Sequence, residues 1–338
     1  MRVALPSPVP IAIIVVMIES MLEPPVTDRG VALMALMKLK GVGRRGALRL
    51  LLRTPERFDA SGLCEIVRST RSLSELSGQV RDSWSRAADQ LHGYVDMGIY
   101  SLGFFDDAYP VKLRAIPDPP AVLFVKGSIA GLHTPHAIAV VGTREPTAYG
   151  AKVARRSAAS ASEAGFVIVS GLALGCDTAG HEGCLDVRGT GVVVLAQGLD
   201  RVYPAANREL AERLLEGGGC LVSEYPIGVA PTRSAFVERD RIQSGLSDAV
   251  LVIETDVVGG TMHTVRFSQE QGRSLACIQH PVQWQSEAKT RGNQKLIAAG
   301  EAVPIADGEA LSAFLTDLKT KASAGPAPAQ MRQSQLEF

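Results

Sequence analysis

Between Ala137 and Pro281 the chain repeats one device, in which a short apolar run stops at a small residue and a polar or glycine-rich loop opens a helical pattern. The plainest instances are Ala137–Val141 followed by Gly142-Thr143-Arg144, and 167–169 followed by Ser170-Gly171. Similar runs stand at 192–195, 220–222, 249–253 and 274–278. Their apolar character is continuous rather than alternating, which fits strands covered on both faces of a parallel sheet. Loops leaving such strands gather at the carboxyl edge of the sheet, where backbone N–H groups and helix N-termini face anions. The expected fold is therefore α/β, an extended Rossmann-like parallel sheet, and the expected ligand is a nucleotide or nucleic acid.

At 338 residues the chain is long enough for a second unit. Residues 30–105 are expected to form a small helical domain of helix-hairpin-helix or SAM-like type, with apolar stripes in 31–37 and 47–52. Between the stripes, Leu39-Lys40-Gly41-Val42-Gly43-Arg44-Arg45-Gly46-Ala47 resembles a helix-hairpin-helix turn whose N–H groups could cradle a backbone phosphate. The formal net charge is zero, so nucleic-acid contact must come from local patches. Lys38, Lys40, Arg44, Arg45, Arg49 and Arg53 make one with no acid among them. The competing reading is a helical turn that only docks on its neighbour. Residues 1–29 read as a tail, in which the apolar run 11–18 falls short of the roughly 20 residues of a spanning helix. An added strand at 121–125 follows the proline-rich connector Ile116-Pro117-Asp118-Pro119-Pro120, the core runs over 115–307, and 308–338 reads as a flexible tail. Five scattered cysteines with no C-x-x-C pair point to a reducing cytoplasm and to neither a disulfide framework nor a zinc site; no cofactor, metal or membrane partner is expected.

The loops form an ordered series. Gly142-Thr143-Arg144, Thr147 and Tyr149-Gly150 come first, then Ser170-Gly171-Leu172-Ala173, Gly175, Asp177 and His181. Gly198-Leu199-Asp200, Tyr203-Pro204, Asn207 and Ser223-Glu224-Tyr225-Pro226 follow. Phe236 with Arg239-Asp240-Arg241-Ile242, and lastly Gly292-Asn293, complete it. This series resembles the DNA-processing protein A family (DprA, also called Smf). The resemblance implies a protein that binds single-stranded DNA without hydrolysing it, dimerises, and loads the recombinase RecA during DNA uptake in natural transformation.

Arg144, after the first glycine turn, can fork its guanidinium onto a phosphate; an ion pair with Glu145 or Asp177 is the structural alternative. Lys152 and Arg156 share a helix face at i, i+4. Phe236 flanked by Arg239 and Arg241 suggests a stacking platform between cations, with stacking contributing about 1–3 kcal/mol per base. The family resemblance adds Arg233. Ser170, Gly171 and Gly175 read as an anion-cradling turn, and Gly260-Thr261 as another that opens a helix. Asp177 with His181 is expected to form a hydrogen-bonded pair that fixes its loop. Asp200, Tyr203 and Glu224 read as loop organisers, and Asn207 as the cap of a helix starting near Arg208.

The sequence departs from the family pattern at Leu174, where the family usually has Arg, and at Asp240, where it usually has Asn. Gly259–Val265 and His280-Pro281 differ too. An alternative class is a nucleotide-hydrolysing enzyme or sensor of the wider superfamily using Glu224, Asp177 or Glu254. Finally, Gln333, Leu336 and Phe338 fit a Q-x-x-L-x-F pattern resembling a peptide that docks on the replication sliding clamp.

Overall fold

The structure, a computed structural model, describes residues 26–52, 54 and 59–323. Arg53 and the clamp-type peptide Gln333–Phe338 lie outside the described residues.

Thr27 accepts a hydrogen bond from Gly30 N and so starts helix α1 (Asp28–Met37), inside the stretch read as a tail. After the turn come α2 (Arg44–Leu51), α3 (Ala60–Ser69) capped by Asp59, and α4 (Val80–Val95). The chain then enters a sheet through β1 (Ile99–Gly103), passes the single turn α5 (Val111–Arg114), and returns as β2 (Val122–Gly127). Regular alternation follows: β3 (Ala137–Val141), α6 (Ala148–Glu163), β4 (Val167–Ser170), α7 (Cys176–Asp186), β5 (Gly191–Val194), α8 (Arg208–Glu216), β6 (Cys220–Ser223), α9 (Arg233–Leu246). The last elements are β7 (Ala249–Val252), α10 (Thr261–Glu270), β8 (Ser274–Ile278), α11 (Arg291–Ala298), β9 (Val303–Ile305) and α12 (Gly308–Ser323).

The strands form one sheet in the order β1-β2-β6-β5-β4-β3-β7-β8-β9. Pairing is parallel from β6 through β9, and antiparallel for β1 with β2 and for β2 with β6. Alternate residues serve opposite faces. Ala137, Ala139 and Val141 of β3 join one core, and Ile138 and Val140 the other. This explains the unbroken apolar runs. The helices α1 to α4 share the first core with the sheet, so the N-terminal unit is packed onto it rather than tethered beside it.

Two strands escaped the sequence reading. β1 lies inside the segment assigned to the helical domain, and β9 is an edge strand with Val303 and Pro304 exposed. The stretch from 308, read as flexible, begins instead with α12, whose Leu311, Phe314, Leu315 and Leu318 are buried in the core shared with α6. Among the described residues no helix is long and apolar enough to cross a membrane.

The basic turn docks. Arg44 pairs with Asp118 and with Glu238 of α9, Arg45 pairs with Asp118, and Lys38 donates to Gln90. Arg44 and Arg45 thus face the core's own carboxylates, as in the docking alternative, while Lys38 meets an amide of α4.

Candidate nucleic-acid interface

From β3 the chain winds outward through β4, β5 and β6, then jumps back to place β7 on the other side of β3. That reversal parts the loops after β3 and β7, which opens a crevice at the carboxyl ends of the strands. A cavity of about 380 Å³ lies there. Its walls come from the loop after β3 (Gly142, Thr143, Arg144), the loop after β7 (Thr255 to Gly260) and the start of α10. With Val237 at its margin, one stripe of α9 forms another wall: Phe236, Arg239, Asp240 and Gln243. These positions follow i, i+3, i+4, i+7, so a single helix face meets the cavity.

Arg144 is exposed, and its guanidinium lies over the Phe236 ring, 5.2 Å from the centroid. It has no ion pair among the described residues. The Tyr203 ring stands 5.8 Å from Phe236 at 49°. The aromatic platform is thus already layered with a cation. Gly260 and Thr261 open α10 at the cavity rim with no side-chain cap, and Met262 N and His263 N bond back to Gly259 O and Gly260 O, so what the helix turns to the cavity is the positive end of its dipole. Arg233 and Lys152 are exposed at the first residue of α9 and on the first turns of α6.

Other expected contacts turn inward. Arg241 falls off the cavity stripe and is buried, donating through Nη1 and Nη2 to Glu224 Oε1 and Oε2 at 2.7 and 2.6 Å. It is not available to a phosphate, and Glu224 organises α9 through it. Ser170 donates its hydroxyl to Val140 O across the sheet and is fully buried. Gly171 leaves room for the Arg239 guanidinium, which a Cβ there would strike. These positions build the loop cluster rather than cradle an anion.

Asp177 and His181 do not pair. Asp177 accepts from Gly171 N and Ala173 N at 3.1 and 3.2 Å, and burial pushes its carboxyl up despite those amides and Arg239. Burial likewise pulls His181 down to about 4, so it is a neutral core imidazole. Asn207 stands at the helix start without capping it; Nδ2 donates to Leu172 O and Thr178 Oγ1 at 2.8 Å. Leu172 itself has φ +60°, an uncommon conformation for a leucine held in place at the site. Asp200 accepts from Gly228 N and pairs with Arg201.

Cavity residues missed by the sequence reading include Gln243, Thr255, Asp256 and Lys289. Lys289 precedes the Gly292-Asn293 motif by a few residues, a signal that sequence could have offered. Asn293 explains that motif. Its Nδ2 donates to the ends of β7 and β8 (Val252 O, Ile253 O and Ile278 O), and its Oδ1 accepts from Thr255 N.

Residues 101–316 match the family model described as DNA recombination-mediator protein A. The chain belongs to that family. The protein Smf of Escherichia coli (strain K12) is 41% identical over 174 residues, covering 52% of this chain and 46% of that protein. The chain thus spans about half the length of that relative. The solved DNA processing protein A of Streptococcus pneumoniae superposes with a TM-score of 0.66 at 27% identity, covering 85% of this chain and 94% of that one. A Helicobacter pylori DNA processing protein A, described for its single-stranded DNA binding mode, gives 0.57 at 27% identity, covering 66% and 96%.

Two departures of this recombination-mediator family chain sit at the site. Leu174 is exposed beside Arg144 and Tyr203. Asp240 is buried in the cavity wall, and burial drives its carboxyl up to about 7, against the pull of Arg239. Between pH 3.8 and 7 the folded chain therefore binds more protons at this group than the unfolded chain, and stability falls as pH rises through that window. Asp240→Asn mimics the neutral form. Its melting temperature relative to wild type should climb from pH 5 to pH 8; a difference constant with pH would refute the assignment.

Proposed function

We propose that this protein binds single-stranded DNA at the carboxyl-edge cavity without chemistry on it, and as a homodimer delivers the strand to RecA. The observation that carries the reading is Arg144, a cation without an acidic partner among the described residues, stacked on Phe236 beside the uncapped start of α10. A phosphate finds a fork and the positive end of a helix dipole there, and a base finds a flat cationic surface. Membership of the recombination-mediator family and likeness to a protein described as binding single-stranded DNA support the same ligand.

The carboxylates of the hydrolase alternative are already engaged. Glu224 holds Arg241. Thr147 donates to both oxygens of Glu254. Asp177 accepts two backbone amides. This supports a binding role over turnover. A clamp-docking tail at Gln333, Leu336 and Phe338 is a further part of the proposal, as is action in the cytoplasm.

Fluorescence-anisotropy titration of labelled oligo-dT provides the test. Arg144→Ala should weaken binding about tenfold or more, and the log–log salt slope should become shallower by about one. Binding that ignores both salt and Arg144 would sink the reading. RecA nucleation on strands coated with single-strand-binding protein, with and without this protein, tests delivery.

A further inference from the structure

Outside the cavity, a second surface joins aromatic rings to free cations. Tyr149 stands on the first turn of α6, and Lys152 and Arg156 follow it at i+3 and i+7, so all three share one helix face. Lys152 and Arg156 are exposed and form no ion pair among the described residues, whereas Arg155, on the adjoining face, is tied to Glu182 and Asp186. The Trp284 ring is stacked on Tyr149, with centroids 5.9 Å apart and planes at 22°. On the core side the buried His280 ring lies 5.7 Å from Tyr149. Trp284 is only half-buried. Among the described residues its indole N–H has no acceptor, and its ring meets no second aromatic and no cation. The turn that carries it is nonetheless fixed: Thr290 Oγ1 donates to Trp284 O at 3.1 Å, and Gln285 Nε2 to His280 O at 2.9 Å.

Resting on the strand-binding reading above, we infer that this surface is a second single-strand contact, where a base stacks on Trp284 while Lys152 and Arg156 take neighbouring phosphates. An aromatic pair bordered by unpaired cations complements a polyanion that carries flat bases, and stacking accepts any base. Phe236 is overlaid by Arg144, whereas Trp284 keeps one face clear of rings and cations. Two chain segments tie the surface to the cavity. The loop bearing Arg144 runs directly into α6, whose cap Thr147 accepts from Gly150 N at 2.9 Å. The segment that begins at Trp284 leads to Lys289, which lines the cavity. From Tyr149 to Arg156 the helix advances about 10 Å, so the cations extend the path of a strand past the rings rather than repeat one position.

The experiment compares oligo-dT of about 4 and about 12 nucleotides, within the usual range of single-strand sites. The chain has two tryptophans, and Trp84→Phe leaves Trp284 as the reporter. The longer strand should quench its emission, and the shorter, which fills the cavity alone, should not. By anisotropy, Trp284→Ala should weaken the longer strand about five- to tenfold and the shorter less than about twofold, with Trp284→Phe restoring most of the loss. Lys152→Gln with Arg156→Gln alters only exposed side chains. The salt slope for the longer strand should then become shallower by about two, while that for the shorter holds. Equal effects on both lengths, or a bound longer strand that leaves Trp284 emission unchanged, overturn the second contact. Binding of the shorter strand that still depends on Arg144 then leaves the strand reading standing. If neither length binds, that reading fails and the second contact falls with it. Emission that changes with protein concentration and ignores DNA overturns the inference and reassigns the face to contact between copies.

Discussion

Glu224→Ala is expected to destabilise the protein by about 3–5 kcal/mol, because it strands a buried guanidinium. The Arg241 side chain is 3% exposed and Glu224 is 7% exposed. Besides its two bonds to Glu224, Arg241 donates through Nε to Asp118 O at 2.9 Å and through Nη1 to Glu238 O at 2.8 Å. Four parts of the chain therefore meet at one ion: the end of β6, the middle of α9, the proline-rich connector and, through Arg44, the start of α2. Urea denaturation at pH 7 checks the size of the loss. Arg44→Ala is the comparison. Its side chain is 26% exposed, Arg45 still reaches Asp118, and its removal should cost only about 1 kcal/mol. Replacing both buried partners together, as Glu224→Leu with Arg241→Met, should recover much of the difference. If Glu224→Ala proved no worse than Arg44→Ala, the buried pair would not be the joint between the N-terminal helices and the sheet.

The same helix shows what sequence could and could not convey. Phe236, Arg239 and Arg241 read alike as an aromatic flanked by cations, yet only the first two face the cavity. Helical spacing carries the distinction, since 236, 239, 240 and 243 share a stripe and 241 falls off it. What spacing could not supply was the phase of that stripe relative to the cavity, which the β3–β7 reversal sets. Strands β3, β4, β7 and β8 were legible because burial on both faces leaves them apolar but for a serine at one end of β4 and of β8. β9 was not, because it is three residues long with a proline at the sheet edge. The glycines were legible as special positions but not in their purpose. Gly171 meets Arg239 and Gly142 meets Cys176, partners that only the folded chain brings near.

Gly175→Ala is the second large effect, and it should separate loop position from overall stability. Gly175 has φ +83° and ψ −122°, a conformation that L-residues rarely adopt, which costs about 1–3 kcal/mol. A Cβ there would also fall against Thr143 O and the backbone carbonyl of Arg144. Backbone cannot rotate aside as a side chain can, so the loop after β3 must shift and carry Arg144 off Phe236. Oligo-dT affinity, corrected for the folded fraction, should drop about tenfold, matching Arg144→Ala because the same guanidinium is lost from its place. Gly218→Ala supplies the contrast. Its φ is +81°, yet a Cβ there meets nothing within 4 Å. It should carry the conformational cost alone and bind DNA normally. Affinity unchanged in Gly175→Ala, despite a lower melting temperature, would mean that Arg144 reaches its ligand from a mobile loop. The stacking on Phe236 would then be incidental to binding.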